Sequence, residues 1–267
     1  MDKESKKGKQ YKTIISDIFA RHYKGGGREF VFERDEIEEA GKRAGVGVPR
    51  NLGDVVYSFR HRRQLPEEIQ KTQPEGMYWL ILGAGDAKYR FRLSRLAHIE
   101  PTRGLLVRKI PDATPEIISH YALSDEQALL AKIRYNRLID IFLSITAYSL
   151  QNHLRTKIAN YGQIEIDELY IGVDSKGVQY VAPVQAKGGK DKLGVIQTIQ
   201  DTAFCKEREK YSNCVVRPVS AQFMGDVIAM FELDFDGDDV SIVQERHYQL
   251  TATSDIDAKD LASYAKS

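Results

Sequence analysis

The sequence predicts a mixed α/β chain in two parts, and three observations carry that expectation. Apolar residues recur at helical spacing through the first 63 positions. Apolar runs broken by turn residues recur beyond Met77, as strands joined by tight turns would. Between Lys187 and Val219 an amphipathic stretch separates two such runs, the strand–helix–strand order of a right-handed crossover. At 267 residues, with 42% hydrophobic and 29% charged, the chain suits one large domain or two smaller ones with real cores.

Residues 1–10, with Lys3, Lys6, Lys7 and Lys9 among polar neighbours, are expected to be a basic disordered tail without the apolar segment of a signal peptide. Ile14, Ile15, Ile18, Phe19 and Tyr23 then mark a helix over Tyr11 to Tyr23. Gly25-Gly26-Gly27 breaks it, and Phe30-Val31-Phe32 follows as a short strand. Arg34 to Ala44 reads as a second helix, stopped by Gly45 and Gly47 with Pro49 just beyond. Asn51 can cap a third, Leu52 to Arg63, with Leu52, Val55, Val56 and Phe59 on its apolar face and Leu65-Pro66 at its end. Met77 to Leu82 and Tyr89 to Leu93 flank Gly83-Ala84-Gly85-Asp86 as a β-hairpin. Three helices followed by a two-stranded wing are the order of a winged helix-turn-helix, here assigned to residues 11–100.

On that reading the third helix is the recognition helix. It would present Arg50, Asn51, Tyr57, Arg60, His61 and Arg63 to double-stranded DNA, with Lys88, Arg90 and Arg92 on the wing. Arg can bond guanine bidentately and Asn adenine, while Lys and Arg also grip phosphates. Asn51, Arg60 and Arg63 are expected to share one face and to read bases. The net charge of +1 conceals an asymmetry that fits: Arg50 to Lys109 holds twelve Lys or Arg against six acids, whereas Asp226 to Asp260 holds ten acids against two. A polyanion is drawn to the first region and repelled by the second.

Pro101, Pro111 and Pro115 mark a linker over 101–123, leaving 124–267 as a second domain. Ser124 or Asp125 would cap a long helix from Glu126 to about Ile158. The next stretch, Ile164 to Lys187, is the most informative in the chain. It reads as two strands around a turn at Asp174-Ser175-Lys176-Gly177, both strongly apolar through Ile164, Ile166, Leu169, Ile171, Val178, Val181 and Val184. A two-residue turn pairs Gln185 with Ile166; a loop one residue longer pairs Gln185 with Asp167 and Lys187 with Glu165. The second register gathers two carboxylates, an amide and an ammonium on one face, a set able to hold a divalent cation and aim water at a phosphate. Carboxylates so near a core call for a partner or a metal.

Asp167, seventeen intervening residues, then Gln185-Ala186-Lys187 resembles the PD-(D/E)XK nuclease superfamily, in particular type II restriction endonucleases with Gln in place of the second acid. Asn51-Leu-Gly-Asp-Val-Val-Tyr-Ser-Phe-Arg60 followed by Leu65-Pro66 is similar to the amino-terminal module of certain restriction endonucleases, over residues 11–95 or so. The resemblance implies a restriction-endonuclease-like central mixed sheet flanked by helices, Mg2+ on Asp167, Gln185 and Glu165, and Lys187 acting on the attacking water. It also implies 5′-phosphate and 3′-hydroxyl products. This chain departs from the pattern in having no Pro before Asp167 and a neutral Gln185, for which Glu165 would compensate. In that family the helix before the strands often supplies an acid; here its end carries Gln151, Asn152 and His153.

After Lys187, the loop lysines Lys190 and Lys192 would touch phosphates beside the scissile bond, with Gln222 a further contact candidate. Leu193 to Phe204 is the crossover helix, Cys214 to Val219 the next strand, and Ala229 to Phe235 with Val240 to Tyr248 a last hairpin. Its acidic turn, Asp234, Asp236, Asp238 and Asp239, lacks the Gly and Glu of an EF-hand. The chain has no phosphate loop, dinucleotide fingerprint, zinc-spaced cysteines or nucleophile elbow. Cys205 and Cys214, and the absence of an apolar run long enough to span a bilayer, are expected of a cytoplasmic protein. The expectation is a Mg2+-dependent, site-specific endonuclease of double-stranded DNA, acting as a homodimer on twofold-symmetric sites. A winged-helix regulator without catalysis, and a repair or recombination nuclease, are the alternatives.

Overall fold

The helical spacing of Ile14, Ile15, Ile18 and Phe19 becomes α1, Lys6–His22, in the computed structural model, which describes residues 6–121, 126–188, 191–237 and 239–265. These residues form a mixed α/β chain whose central sheet is mixed, curled and flanked by helices. They divide into two units, one running to Ala97 and including Lys157–Gln163, the other made of His98–Thr156 and Ile164 onward.

In the first unit α1 is followed by β1 (Glu29–Glu33), α2 (Glu36–Arg43), α3 (Gly53–His61), α4 (Glu67–Gln70), β2 (Tyr78–Gly83) and β3 (Lys88–Ser94). The strands make an antiparallel sheet in the order β1-β3-β2, with Phe30 opposite Phe91 and Ile81 opposite Phe91 on its other side. This is the element order of a winged helix-turn-helix, to which α4 is an addition that its four residues kept below detection. Phe19 organises the core, its ring centroid 5.0 to 5.4 Å from Tyr23, Phe30, Trp79 and Phe91. α2 ends as its glycine suggested: Gly45 takes φ +63°, and the Gly45 and Val46 amides donate to the Lys42 and Gly41 carbonyls. The expected basic tail is corrected for Lys6 to Gln10, which are the first turns of α1; Gly8 is buried, and Lys7 meets Asp54 at 2.8 Å.

The second unit continues with β4 (His98–Ile99), β5 (Val107–Pro111), α5 (Glu116–Tyr121), α6 (Glu126–Tyr135), α7 (Leu138–Leu143), β6 (Thr146–Ile158), β7 (Gly162–Val173) and β8 (Gln179–Lys187). β9 (Leu193–Gly194), α8 (Val195–Glu207), β10 (Val215–Val216), β11 (Val219–Met224), β12 (Val227–Asp236), β13 (Asp239–Thr251) and α9 (Ala258–Tyr264) complete it. The sheet runs β5-β13-β12-β11-β8-β7-β6, with β10 also along β8. β11 lies parallel to β8 and antiparallel to β12, the mixed arrangement that the α8 crossover predicts. Even-numbered β8 residues Ala182, Val184 and Ala186 pack in one core with Leu129, Ile133, Leu138 and Phe142 of α6 and α7. The odd-numbered Gln185 faces α8, where it bonds Thr198.

Two expectations fail here. The long helix stops at Tyr135, because Arg137 and Ser144 both take left-handed φ, +50° and +55°, without being glycine. Thr146 to Ile158 then forms an edge strand, as its Thr and Tyr content favours over helix. The linker also carries structure. Val107–Pro111 adds to the sheet parallel to β13, Val107 opposite His247, and α5 follows; a partner so distant in sequence leaves no local trace. The expected caps Ser124 and Asp125 lie outside the described residues.

Candidate functional site

The turn between β7 and β8 decides the site. Asp174 closes it, its carboxylate accepting from the Lys176 and Val178 amides, with Gly177 at φ +83°. The ladder then runs from Val173 opposite Gln179 to Glu168 opposite Val184, which is the longer-loop register. One further step brings Asp167 opposite Gln185. There the Asp167 side chain enters the ladder itself, Oδ2 accepting from the Ala186 amide at 2.9 Å. Asp167 is only 9% exposed, and burial raises its pKa against the opposing pull of that amide and of Lys187.

Gln185 is buried, its Nε2 donating to Thr198 Oγ1 at 2.6 Å and Ser220 Oγ at 2.7 Å. Held by its nitrogen, it has a buried Oε1 with no hydrogen-bond partner among the described residues. Lys187 reaches Glu126 Oε1 at 2.7 Å. Burial disfavours its ammonium, but the bond to Glu126 and the charge of Asp167 outweigh burial and raise its pKa. Asp201 on α8 completes the cluster from behind. It is 2% exposed, Oδ1 lacks a partner among the described residues, and burial followed by the charge of Asp167 raises its pKa well above the ordinary aspartate value.

Asp167, Gln185 and Lys187 are thus brought together, and Glu165 is not. Its carboxylate turns to β6, where Arg155 Nε lies 3.1 Å away and His153 Nδ1 3.5 Å, and the Arg155 hydrogen bond lowers its pKa. The expected role of Glu165 as a ligand is therefore corrected: Arg155 and His153 of the neighbouring strand hold its carboxylate, while Lys187 at the sheet end is taken by Glu126. Glu126 takes the place beside Lys187. Its sequence signal is weak, because it stands at the first residue of the expected helix and not at the end that adjoins the strands. Asp201 had a legible signal, as the one acid in the apolar run Val195 to Cys205.

The oxygen set tests the fit of a magnesium ion. Among the described residues no three His, Cys, Asp or Glu side chains are grouped so as to hold a metal. The oxygen donors of this strand end are Asp167, the buried Gln185 Oε1 and Glu126 on Lys187, a sparse set of hard ligands.

The expected DNA-contacting residues divide. Arg50, Tyr57 and His61 are exposed on or before α3; the Tyr57 and His61 rings lie 4.7 Å apart. Arg62, not singled out before, is also exposed, 4.9 Å over the Tyr57 ring. Arg60 is corrected to a structural role: Nε donates to the Ile81 carbonyl at 2.7 Å, the guanidinium lies over Tyr89, and burial pushes its pKa down to about 10. Arg63 lies against α1, where a Cβ on Gly8 would meet its Nη1 at 2.1 Å. Asn51 is exposed before the helix, its Oδ1 accepting from the Gly53 amide and Arg34. The expected common face of Asn51, Arg60 and Arg63 does not form, since nine residues make about 2.5 helical turns and not a whole number. On the wing, Lys88 lies 3.7 Å from Glu33, Arg90 3.6 Å and Arg92 3.7 Å from Glu29. Lys192 meets Glu100 at 3.1 Å, Gln222 donates to the Asp191 carbonyl at 2.8 Å, and Lys190 lies outside the described residues.

In the acidic turn Asp236 pairs with Asp239 across the hairpin, and Asp238 lies outside the described residues. Cys205 and Cys214 are free thiols. Among the described residues no helix is long and apolar enough to cross a membrane. Comparison with protein-family models, curated proteins and solved structures finds no match to this chain.

Proposed function

We propose that the protein is a Mg2+-dependent, site-specific endonuclease of double-stranded DNA, similar to type II restriction enzymes, acting as a homodimer in the cytoplasm. The observation that carries this reading is the meeting of Asp167, Gln185 and Lys187 at adjoining strand ends. A fold has no packing reason to bury a carboxylate, an ammonium and an unpartnered amide oxygen together. Asp167, the Gln185 oxygen and Glu126 would hold the ion, which supplies charge neutralisation at the phosphate and a more acidic water. Lys187, bonded to Glu126 and near Asp167, stays protonated, so it orients the attacking water and stabilises charge on the phosphate oxygens as an ammonium. Water adds to phosphorus and the P–O3′ bond breaks, leaving a 5′-phosphate and a 3′-hydroxyl. The exposed Arg50, Tyr57, His61 and Arg62 of the first unit would hold the duplex.

The test is incubation of supercoiled plasmid with purified protein and MgCl2. Discrete fragments that vanish with EDTA support the proposal; intact plasmid across Mg2+, Mn2+ and Ca2+ overturns it. Random nicking or a preference for branched DNA favours a repair or recombination nuclease. A regulator without catalysis, using the exposed Arg50, Tyr57, His61 and Arg62 to hold DNA, is the second reading. It predicts sequence-specific DNA binding with no cleavage under any of these ions.

A further inference from the structure

The first unit contains a second constellation, away from the exposed face of α3. The wing turn between β2 and β3 and the turn Lys157–Gln163 pack together tightly: the Gly85 amide donates to the Asn160 carbonyl at 3.2 Å, and a Cβ on Gly83 would lie 2.2 Å from that oxygen. Beside this contact they enclose a cleft of about 370 Å3, lined by Arg34, Lys88 and Lys157 with the rings of Tyr89 and Tyr161. Asp86, exposed on the wing turn, is the one acid in the lining, so cations outnumber it three to one.

Arg34 is the central group. Its backbone amide donates to the Ala87 carbonyl at 2.7 Å, which fixes the residue to the wing turn. One guanidinium nitrogen, Nη2, reaches Asn51 Oδ1 at 3.4 Å, while Nε is buried with no hydrogen-bond partner. An unsatisfied guanidinium donor is costly, and the half-buried Arg34 side chain sits in the cleft wall, where a small turn would bring Nε to an acceptor entering the cleft. Among the described residues Lys88 has only the distant Glu33, at 3.7 Å, as an ion-pair partner.

We propose that this cleft is a phosphate-binding site for a nucleotide, with Arg34 Nε donating to a phosphate oxygen. Lys88 and Lys157 supply charge, and Tyr89 and Tyr161 give an apolar wall to the sugar or base. A planar, pre-positioned guanidinium flanked by two ammonium groups suits a phosphate better than a carboxylate of one charge. The volume is at the small end of ligand pockets, sufficient for one phosphate and part of its nucleoside. Through Asn51, Arg34 is also tied to the segment that precedes α3. That the phosphate belongs to a DNA strand rests on the function proposed above; the anion site itself does not.

The test uses the full chain without divalent ions. Binding of thymidine 3′,5′-bisphosphate is measured by calorimetry, and binding of a duplex by anisotropy across a NaCl series. Arg34→Gln and Lys157→Gln are compared with Lys71→Gln, an exposed lysine that follows α4 and lies outside the cleft lining. Each cleft variant is expected to weaken the bisphosphate by about tenfold and lower the salt slope for DNA by about 0.9, with Lys71→Gln unchanged. Lys157 is exposed, so its variant remains informative if Arg34→Gln fails to fold. A fall in the slope, with or without the bisphosphate effect, assigns the cleft to a DNA phosphodiester. Loss of bisphosphate binding alone keeps the site and assigns it to a free nucleotide. Insensitivity of both readouts, including a wild type that does not bind the bisphosphate, overturns the site. That result does so whether or not plasmid is cleaved.

Discussion

Arg60 and Lys187 are both cations drawn into the protein, and their surroundings differ in kind. Arg60 has one backbone carbonyl and an aromatic ring, and burial lowers its pKa. Lys187 stands between two carboxylates, and its pKa rises in spite of burial. The first arrangement fastens α3 to the wing; the second keeps a full positive charge beside two carboxylates, with the unsatisfied Gln185 oxygen in the same cluster. A buried cation is a candidate for chemistry when its neighbours are themselves charged and incompletely satisfied, not from burial alone.

Removing each cation is the sharpest way to break this comparison. Lys187→Ala is expected to lower plasmid cleavage by about 100-fold or more at unchanged duplex affinity, as loss of a group stabilising the transition state does. Cleavage at wild-type rates would place Lys187 with Arg60 as scaffolding. Arg60→Ala should instead cost roughly 2 kcal/mol of stability in urea unfolding, since it removes a buried hydrogen bond and packing of the side-chain stem. It should leave the sequence preference on a randomised target library unaltered. A changed base preference in a variant of native stability would restore Arg60 as a base-reading residue.

The acids give smaller effects. With a folded pKa above its unfolded value near 3.9, Asp201 carries extra protons in the native state between those two values. It therefore favours folding at low pH, and that contribution is lost as pH rises through the folded pKa. Asp201→Asn should be more stable than wild type at neutral pH, with the gain shrinking toward pH 4; a constant difference would mean that Asp201 is not buried in a protonatable form. Smallest of all, Glu165→Ala should change stability by about 0–1 kcal/mol and cleavage by less than about twofold, as for an exposed ion pair. A large loss of cleavage would return Glu165 to the ion site.

The first unit was legible almost element by element because its core residues repeat at 3.6 positions and its breaks fall on Gly25-Gly26-Gly27, Gly45 and Pro66. What was missed there was side-chain destination. Arg60 and Arg63 are typical exposed helix residues by composition, and only the position of Ile81 and Gly8 reveals where they go. In the second unit the β7–β8 hairpin was visible, but its register hung on one residue of turn length, decided by Asp174 bonding two amides. α6, α7 and β6 were fused into one helix because left-handed Arg137 and Ser144 carry no glycine to announce a stop. That error also moved the search for a helix acid away from Glu126.

The pairing of Val107 with His247 bears on the order of events as the chain is made. On a ribosome β5 emerges long before β13 exists, so it has no sheet to join while almost the whole second unit is synthesised. Arg108 and Lys109, in the middle of β5, guard the waiting segment, because charged side chains discourage a lone strand from pairing with another chain. Closure of this edge is therefore a late event of high sequence separation. A stalled or truncated chain ending before residue 247 would leave β5 without its partner and β12 without the neighbour that covers it.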